Sequence, residues 1–461
     1  MKSKMESSAF GSFFTFAKGQ NTDNIFTIQN TMKRNKAIMI AAFATLFSLQ
    51  TMAQNVPVPA PAQTQPILIT NATAHLGNGQ VIENSYIAFD QGKITFVGNM
   101  AVGRGFPGHL IIDAAGKHLY PGFIAPDSEL GLQEIEAVRA TADANEIGSL
   151  NPNIRSIIAY NTDSEVTPTV RSMGVLMAEI TPSGGRIPGQ SSIVQLDAWN
   201  WEDAAYATDF AMHLVWPNAG RFNWQEGRTE RNEEYANQLR ELDDFFKQAK
   251  AYGENPALTQ KNLRFEAMQG LFDGSKKLFV HTNSATGMQE AVMFAERFQL
   301  QPTIVGGKDA WMVTGFLKEH DVPVIFATTQ QLPSREDDDI DQPFKTPAML
   351  QAAGLRWCFA HDGFWKQRNL AFQAGQAVGF GLAYEDAVRA LTGSTAEILG
   401  IGKTVGTIEV GKDATLFISE GDALDMRTSK VTRAFIHGRD INLDNKQEAL
   451  YRRFQMKYKS R

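Results

Sequence analysis

The chain has 461 residues, 43% of them hydrophobic and 20% charged, which is enough apolar material for one large core or two modest ones and excludes a fibre or wholesale disorder. Its formal charge of −6 argues against a nucleic-acid partner. A single cysteine, Cys358, rules out an intramolecular disulfide, so stability has to come from the core.

In chain order, the first recognisable pattern starts at Met32 and reads MKRNKAIMIAAFATLFSLQTMAQ. Lys33, Arg34 and Lys36 form a positive start, residues 37–49 an apolar stretch, and Thr51-Met52-Ala53 a small-residue end suited to cleavage before Gln54. This predicts a secretory signal over 32–53 and a periplasmic or extracellular protein, with residues 1–31 an over-long translation start. The apolar stretch is too short for a membrane span, and no cysteine marks a lipid anchor. Removing residues 1–53 takes away six basic and two acidic side chains and moves the formal charge from −6 to −10.

Residues 54–66 are rich in Pro and Ala without periodicity, which predicts an extended linker. From 67 to 120 short alternating segments follow (ILITNATAHL, NSYIAFDQGKITFVGN, HLIIDAAGKHLY), the pattern of antiparallel β-structure. Between 121 and 402 apolar strands alternate with helical stretches, the reading for repeated β-α units and a parallel sheet. Eight strands can be counted: FIAPDSE, GVLMAEITP, SSIVQLDA, AMHLVWP, KLFVHTN, PTIVGG, VPVIFATT and RWCFAHDG. Eight is the number that closes a (β/α)8 barrel. The clearest helical stretches are 229–252, 288–298 and 384–399. Over 403–443 the β rhythm returns in TVGTIEVGKDATLFIS and VTRAFIHGRDI, and 444–461 is a charged tail. The fold class expected is therefore α/β, a (β/α)8 TIM-like barrel with a small composite β-sandwich made from both chain ends.

Four strings, ILITNATAHLGNGQVIENSYIAFDQGKITFVG, LYPGFIAP, AHDG and VGTIEVGKDATLFI, make the chain similar to the amidohydrolase superfamily over residues 67–443, close to its imidazolonepropionase-like and prolidase-like branch. The last string departs in one place, Thr415 standing where a second Asp is usual. The resemblance implies a barrel whose strand ends hold one or two divalent metals, a metal-activated water as nucleophile and an Asp on strand eight as general base. It also implies hydrolysis of C–N bonds in cyclic amides, deaminated rings or small peptides.

Barrel active sites lie at the C-terminal strand ends, so the side chains there decide the chemistry. Where the family has His-x-His on strand one, this chain has Asp127-Ser128-Glu129; carboxylates at that spacing suit a hard cation better than Zn²⁺. His281, in VHTN, stands where the family has a metal-binding His on strand five. Strand six reads IVGGKD, with Gly306 in place of an imidazole, and Gly cannot ligate. Asp362, in AHDG, matches the catalytic Asp that binds metal and takes a proton from water, whereas His361 faces the other side of a regular strand.

Three residues are assigned to the substrate: His213 at the mouth from strand four, Arg186 in the SGGRIPGQ turn for an anionic group, and Trp199, which like Trp201 and Trp216 lies near a strand end. SGGRIPGQ itself lacks the Gly-Lys-Ser/Thr of a phosphate cradle and reads as a hairpin-like turn. Residues 336–341 read as a solvated acidic loop and Cys358 as a core thiol.

Two functional readings stay open. One is an exported hydrolase of an amide, lactam or small peptide, with Asp362 catalytic and His281, Asp362, Asp127 and Glu129 around a divalent cation such as Zn²⁺ or Mn²⁺. The other is a catalytically inactive barrel acting as a binding subunit or partner of an intact amidohydrolase; under either reading the chain could form a homo-oligomer. Neither involves nucleic acid or a membrane span.

Overall fold

The computed structural model describes residues 58–99, 105–223, 225–254 and 260–459. The predicted signal at 32–53, the residues before it and the first part of the predicted linker lie outside the described residues. From 58 to 66 the chain has no regular secondary structure, yet it is pinned rather than free. Ala60 N donates to Asp197 Oδ2 at 2.9 Å, and Gly92 N donates to Gln63 Oε1 at 2.9 Å.

Strands β1 (Ile67–His75), β2 (Val81–Asp90), β3 (Lys93–Asn99), β4 (Leu110–Asp113) and β5 (His118–Pro121) open the chain. Near the other end come β16 (Leu416–Ser419), β17 (Val431–Ile436) and β18 (Arg439–Ile441). Together they make one sheet in the order β18-β17-β16-β5-β1-β2-β3, with β4 paired to β1. The seam is the antiparallel pair β5–β16, Tyr120 opposite Phe417 and His118 opposite Ser419. One apolar layer, Ile69, Ile87, Phe89, Leu119, Leu416 and Phe435, is drawn from both chain ends, so neither end can bury its apolar face alone. Of the β rhythm expected in TVGTIEVGKDATLFIS, Leu416–Ser419 forms a strand, while Gly406 (φ 96°) and Gly411 (φ 91°) bend the preceding backbone out of the extended region.

The second sheet contains all eight segments anticipated from the sequence. They are β6 (Phe123–Ser128), β7 (Val175–Ile180), β8 (Gly189–Gln195), β9 (Ala205–Val215), β12 (Lys277–Thr282), β13 (Pro302–Gly306), β14 (Val324–Ala327) and β15 (Trp357–Ala360). Edge strands β6 and β15 lie beside one another, so the barrel is nearly closed. A short hairpin, β10 (Gly220–Asn223) with β11 (Arg228–Arg231), sits in the connection after β9. It takes the first residues of the predicted helix at 229–252, which starts at Tyr235 and runs to Gly253. The predicted 384–399 helix is two, Tyr384–Leu391 and Gly393–Leu399, broken at Thr392 (φ −135°, ψ −90°).

The strand direction also departs from expectation. The sheet is not wholly parallel: β8 pairs antiparallel with both β7 and β9. Only residues 181–188 join β7 to β8, too few for the crossover that a parallel neighbour needs. Gly184 and Gly185 turn this link with φ of 82° and 72°, and a Cβ on Gly185 would stand 2.8 Å from the Gly148 carbonyl oxygen. The SGGRIPGQ segment is thus the hairpin-like turn its sequence suggested.

Inside the barrel, Ile124, Met177, Ile193, Ala211, Phe279, Val305, Ile325 and Cys358 form a sealed apolar layer, each at most 1% exposed. The outer strand faces, including Leu214, Val280 and Phe326, pack on helix residues such as Leu242, Met288 and Val292. This floor fixes what stands above it, because side chains two residues apart on a strand share a face.

Candidate metal centre

Two residues on from Met177, Ala211 and Phe279, the interior positions hold Glu179, His213 and His281. On β8, which runs the other way, the corresponding residue is two back from Ile193, namely Ser191. The same step on β13, β14 and β15 reaches Gly307, Ala327 and Ala360, which offer no donor side chain. The polar layer is therefore confined to one half of the barrel, and strand geometry alone assembles it.

The donor atoms of Asp127, His213 and His281 all lie within 4.8 Å of one another. His213 Nδ1 is 2.8 Å from His281 Nε2, and His281 Nδ1 is 4.0 Å from Asp127 Oδ2. Beneath them Glu179, fully buried, accepts from Ser191 Oγ (2.7 Å), His213 Nε2 (3.2 Å) and the Asp127 backbone N–H (3.0 Å). Asp127 has φ 52° and β6 breaks register with β7 there. The simple rule that residues 127 and 129 of a regular strand share a side does not hold at this bulge.

Burial, together with the carboxylates of Glu179, Asp362 and Glu129, pushes the Asp127 carboxyl well above its ordinary value. Burial first, and His213 second, drive His281 down to about 3, so the ring is neutral at physiological pH. Among the described residues no Lys or Arg forms an ion pair with Asp127 or Glu179. Negative charge thus collects beside neutral imidazoles without a protein cation, a situation that a bound divalent cation relieves. Two imidazoles and a carboxylate are also the donor set of catalytic zinc sites that keep one position open. The residues present fit one divalent ion.

The other predicted site residues fall at varying distances from this group. Asp362 follows β15 on an exposed turn, outside the three-residue cluster but near enough for its charge to act on Asp127; Glu129 acts on Asp127 in the same way. Arg186 donates from Nη1 to the Val215 carbonyl at 2.9 Å, which seats it at the end of β9. His213, expected to meet substrate at the rim, is instead fully buried within the cluster. Trp199 follows β8; because that strand is reversed, Trp199 and Trp201 stand at the opposite end of the barrel from His281, with Trp199 65% exposed. This corrects the expectation that they line the mouth.

His361 is buried, facing away from the cluster as a regular strand requires. On strand six Gly306 has φ 99°, and a Cβ there would lie 2.6 Å from Asn283 Oδ1 and 3.1 Å from the Thr282 carbonyl oxygen, so any side chain would be strained. Glu179 is the residue that sequence reasoning missed. Its signal was present: it is the one charged side chain in VLMAEI, a strand buried along its whole length, and a charge there needs a partner.

An eight-stranded α/β barrel with imidazoles and carboxylates gathered at its strand ends is an arrangement that metal-dependent barrel hydrolases also use. The amidohydrolase family model matches residues 324–441. Amidohydrolase tasK of Hapsidospora irregularis is 22% identical over 380 residues, 75% of this chain and 38% of that protein, so the chain spans well under half of its relative. An amidohydrolase from Thermotoga maritima shares the fold with a TM-score of 0.70 at 22% identity, over 82% of this chain and 99% of that one. Molinate hydrolase follows at 0.53 and 16%, over 84% and 95%. A prolidase complexed with N-methylphosphonate-L-proline gives 0.50 and 16%, over 82% and 99%. The chain is similar to amidohydrolases in sequence over residues 324–441 and in fold over most of its length. No helix among the described residues is long and apolar enough to cross a membrane.

Proposed function

We propose that the protein is an exported hydrolase that cleaves a C–N bond of an amide, lactam or small peptide, using one divalent cation held by Asp127, His213 and His281. The observation that carries this reading is the convergence of those three donors, within 4.8 Å, at the strand ends where barrel enzymes act. Support for the substrate class comes from relatives named as a prolidase and a molinate hydrolase. Support for export comes from the signal pattern at 32–53.

A divalent cation in this position supplies Lewis-acid polarisation of a carbonyl and acidification of a water. The chain's own residues do the rest. Neutral His281 offers a lone pair, and Asp127 offers a carboxyl that burial and the carboxylates of Glu179, Asp362 and Glu129 hold toward its protonated form, a bias that a bound cation would reverse. In this reading Asp362, exposed after β15, takes a proton from water, and Arg186, bonded to the Val215 carbonyl at the end of β9, meets an anionic substrate group.

Elemental analysis of protein purified without chelator tests this directly. About one divalent metal per wild-type chain is expected, with its loss in His281→Ala. No metal in either protein would overturn the proposal and favour a barrel that binds a ligand or partner without catalysis. If metal is bound, Asp362→Asn should lower kcat for a hydrolysed amide by about 10²-fold or more while leaving metal content unchanged.

A further inference from the structure

We propose that Glu179 is the positioning residue of this centre, setting two of its three donors at once: the ring of His213 and the backbone that carries Asp127. The inference rests on the reading that Asp127, His213 and His281 hold a divalent cation. It concerns a strand-two carboxylate that does not itself belong to the donor cluster.

An ionised carboxylate only accepts hydrogen bonds. Glu179 Oε1 faces His213 Nε2 at 3.2 Å, so the ring proton sits on Nε2 and the lone pair on Nδ1. That lone pair points to the cluster, 2.8 Å from His281 Nε2. The same oxygen accepts from Ser191 Oγ, which fixes its position from β8. The other oxygen accepts the backbone N–H of Asp127 at 3.0 Å, holding the φ 52° bulge that turns this carboxylate inward. One fully buried side chain on β7 thereby ties β6, β8 and β9 together beneath the site.

Its chemistry also explains why the nearest isostere cannot replace it. Glutamine has the same shape but one acceptor and one donor end. With its NH2 toward His213 it opposes the Nε2–H; with its NH2 toward Asp127 it opposes a backbone N–H. Either way one of the two metal donors loses its support. Partners of this kind beneath a metal ligand are worth 10–100-fold in affinity.

The test is Co²⁺ titration of the purified full chain, followed by competition affinity and by the visible absorption of the bound ion, for wild type, Glu179→Gln and His213→Ala. Wild type is expected to bind about one Co²⁺, and His213→Ala to lose it. Glu179→Gln should bind about 10–100-fold more weakly, with an altered absorption band, while its circular dichroism stays that of wild type. A Glu179 that only supported the fold would lower the melting temperature and leave affinity and spectrum of the folded protein unchanged; that outcome overturns the proposal while the metal reading stands. If wild type binds no Co²⁺, the metal reading fails and this inference with it. Should Glu179→Gln not fold, Glu179→Asp decides: it keeps two acceptors but loses one methylene of reach. A weakened and spectrally shifted site then supports positioning, and a wild-type site overturns it.

Discussion

At the scale of single residues, the site is a problem of charge placed where little water reaches it, the Asp127 and His281 side chains being 18% and 25% exposed. His281 and Asp127 are displaced in opposite directions, the ring held neutral and the carboxyl held toward its protonated form, because burial penalises the charged state of each. The same physics acts on His361 outside the cluster, whose buried ring is pushed down to about 4. Its folded value lies below the ordinary 6.5, so the unfolded chain takes up the proton first. Stability from this residue is therefore complete above pH 6.5 and lost as the pH falls from 6.5 toward 4. The cost reaches about 3 kcal/mol at the acid end, since one unit is worth about 1.4 kcal/mol. His361→Asn should flatten the decline of urea-denaturation stability between pH 6.5 and 4; an unchanged slope would show that the ring does not titrate in this way.

Among the elements, the reversal of β8 has the widest consequences. A link of residues 181–188 makes β7 and β8 a hairpin, brings Ser191 beside Glu179, and sends Trp199 to the far end of the barrel. The turn depends on backbone that L side chains adopt at a cost. A side chain at residue 185 would keep φ near 72° and press its Cβ to 2.8 Å from the Gly148 carbonyl oxygen. Gly185→Val is expected to destabilise the fold by about 2 kcal/mol, read as a lower denaturation midpoint with an unchanged m-value. A neutral effect would mean that the turn relaxes freely. The acidic segment 336–341 is a loop as its composition suggested, though not a fully solvated one: Asp338 is turned in against Arg335, which also reaches Asp309 at 3.0 Å.

Across the whole molecule, a chain without disulfides joins its two ends to the barrel by buried polar ties. Asp197, 1% exposed, is the chief of these. It accepts from Arg171 (2.6 Å), from Arg439 beside β17 (3.0 Å) and from the Ala60 backbone (2.9 Å). Barrel, end sheet and entering segment thus meet on one carboxylate. Asp197→Ala leaves Arg171 buried and unpaired, which predicts a loss of about 3–5 kcal/mol in denaturant titration; a loss below about 1 kcal/mol would show that the ends are held elsewhere. Export, proposed from the N-terminal pattern, predicts that protein recovered from an expressing bacterium's periplasm begins at Gln54, which N-terminal sequencing reads directly.

Much of this architecture is legible in the amino-acid order, because strand identity is local. Eight apolar runs of strand length, each marked by its own composition, are the eight strands of the barrel, and Tyr120 and Phe417 carry the alternating pattern that joins the two chain ends. His281 and Asp127 were also legible, standing at the ends of such runs. What the order of residues cannot express is direction and depth. The polarity of β8 follows from a link too short to cross over, and the bulge at Asp127 from pairing with β7. The burial of Glu179 and His213 in one polar layer arises only when Met177, Ala211 and Phe279 close the floor beneath them. The partners within that layer lie 34 to 68 residues apart, where hydrogen bonding and desolvation act between neighbours in space and not in sequence.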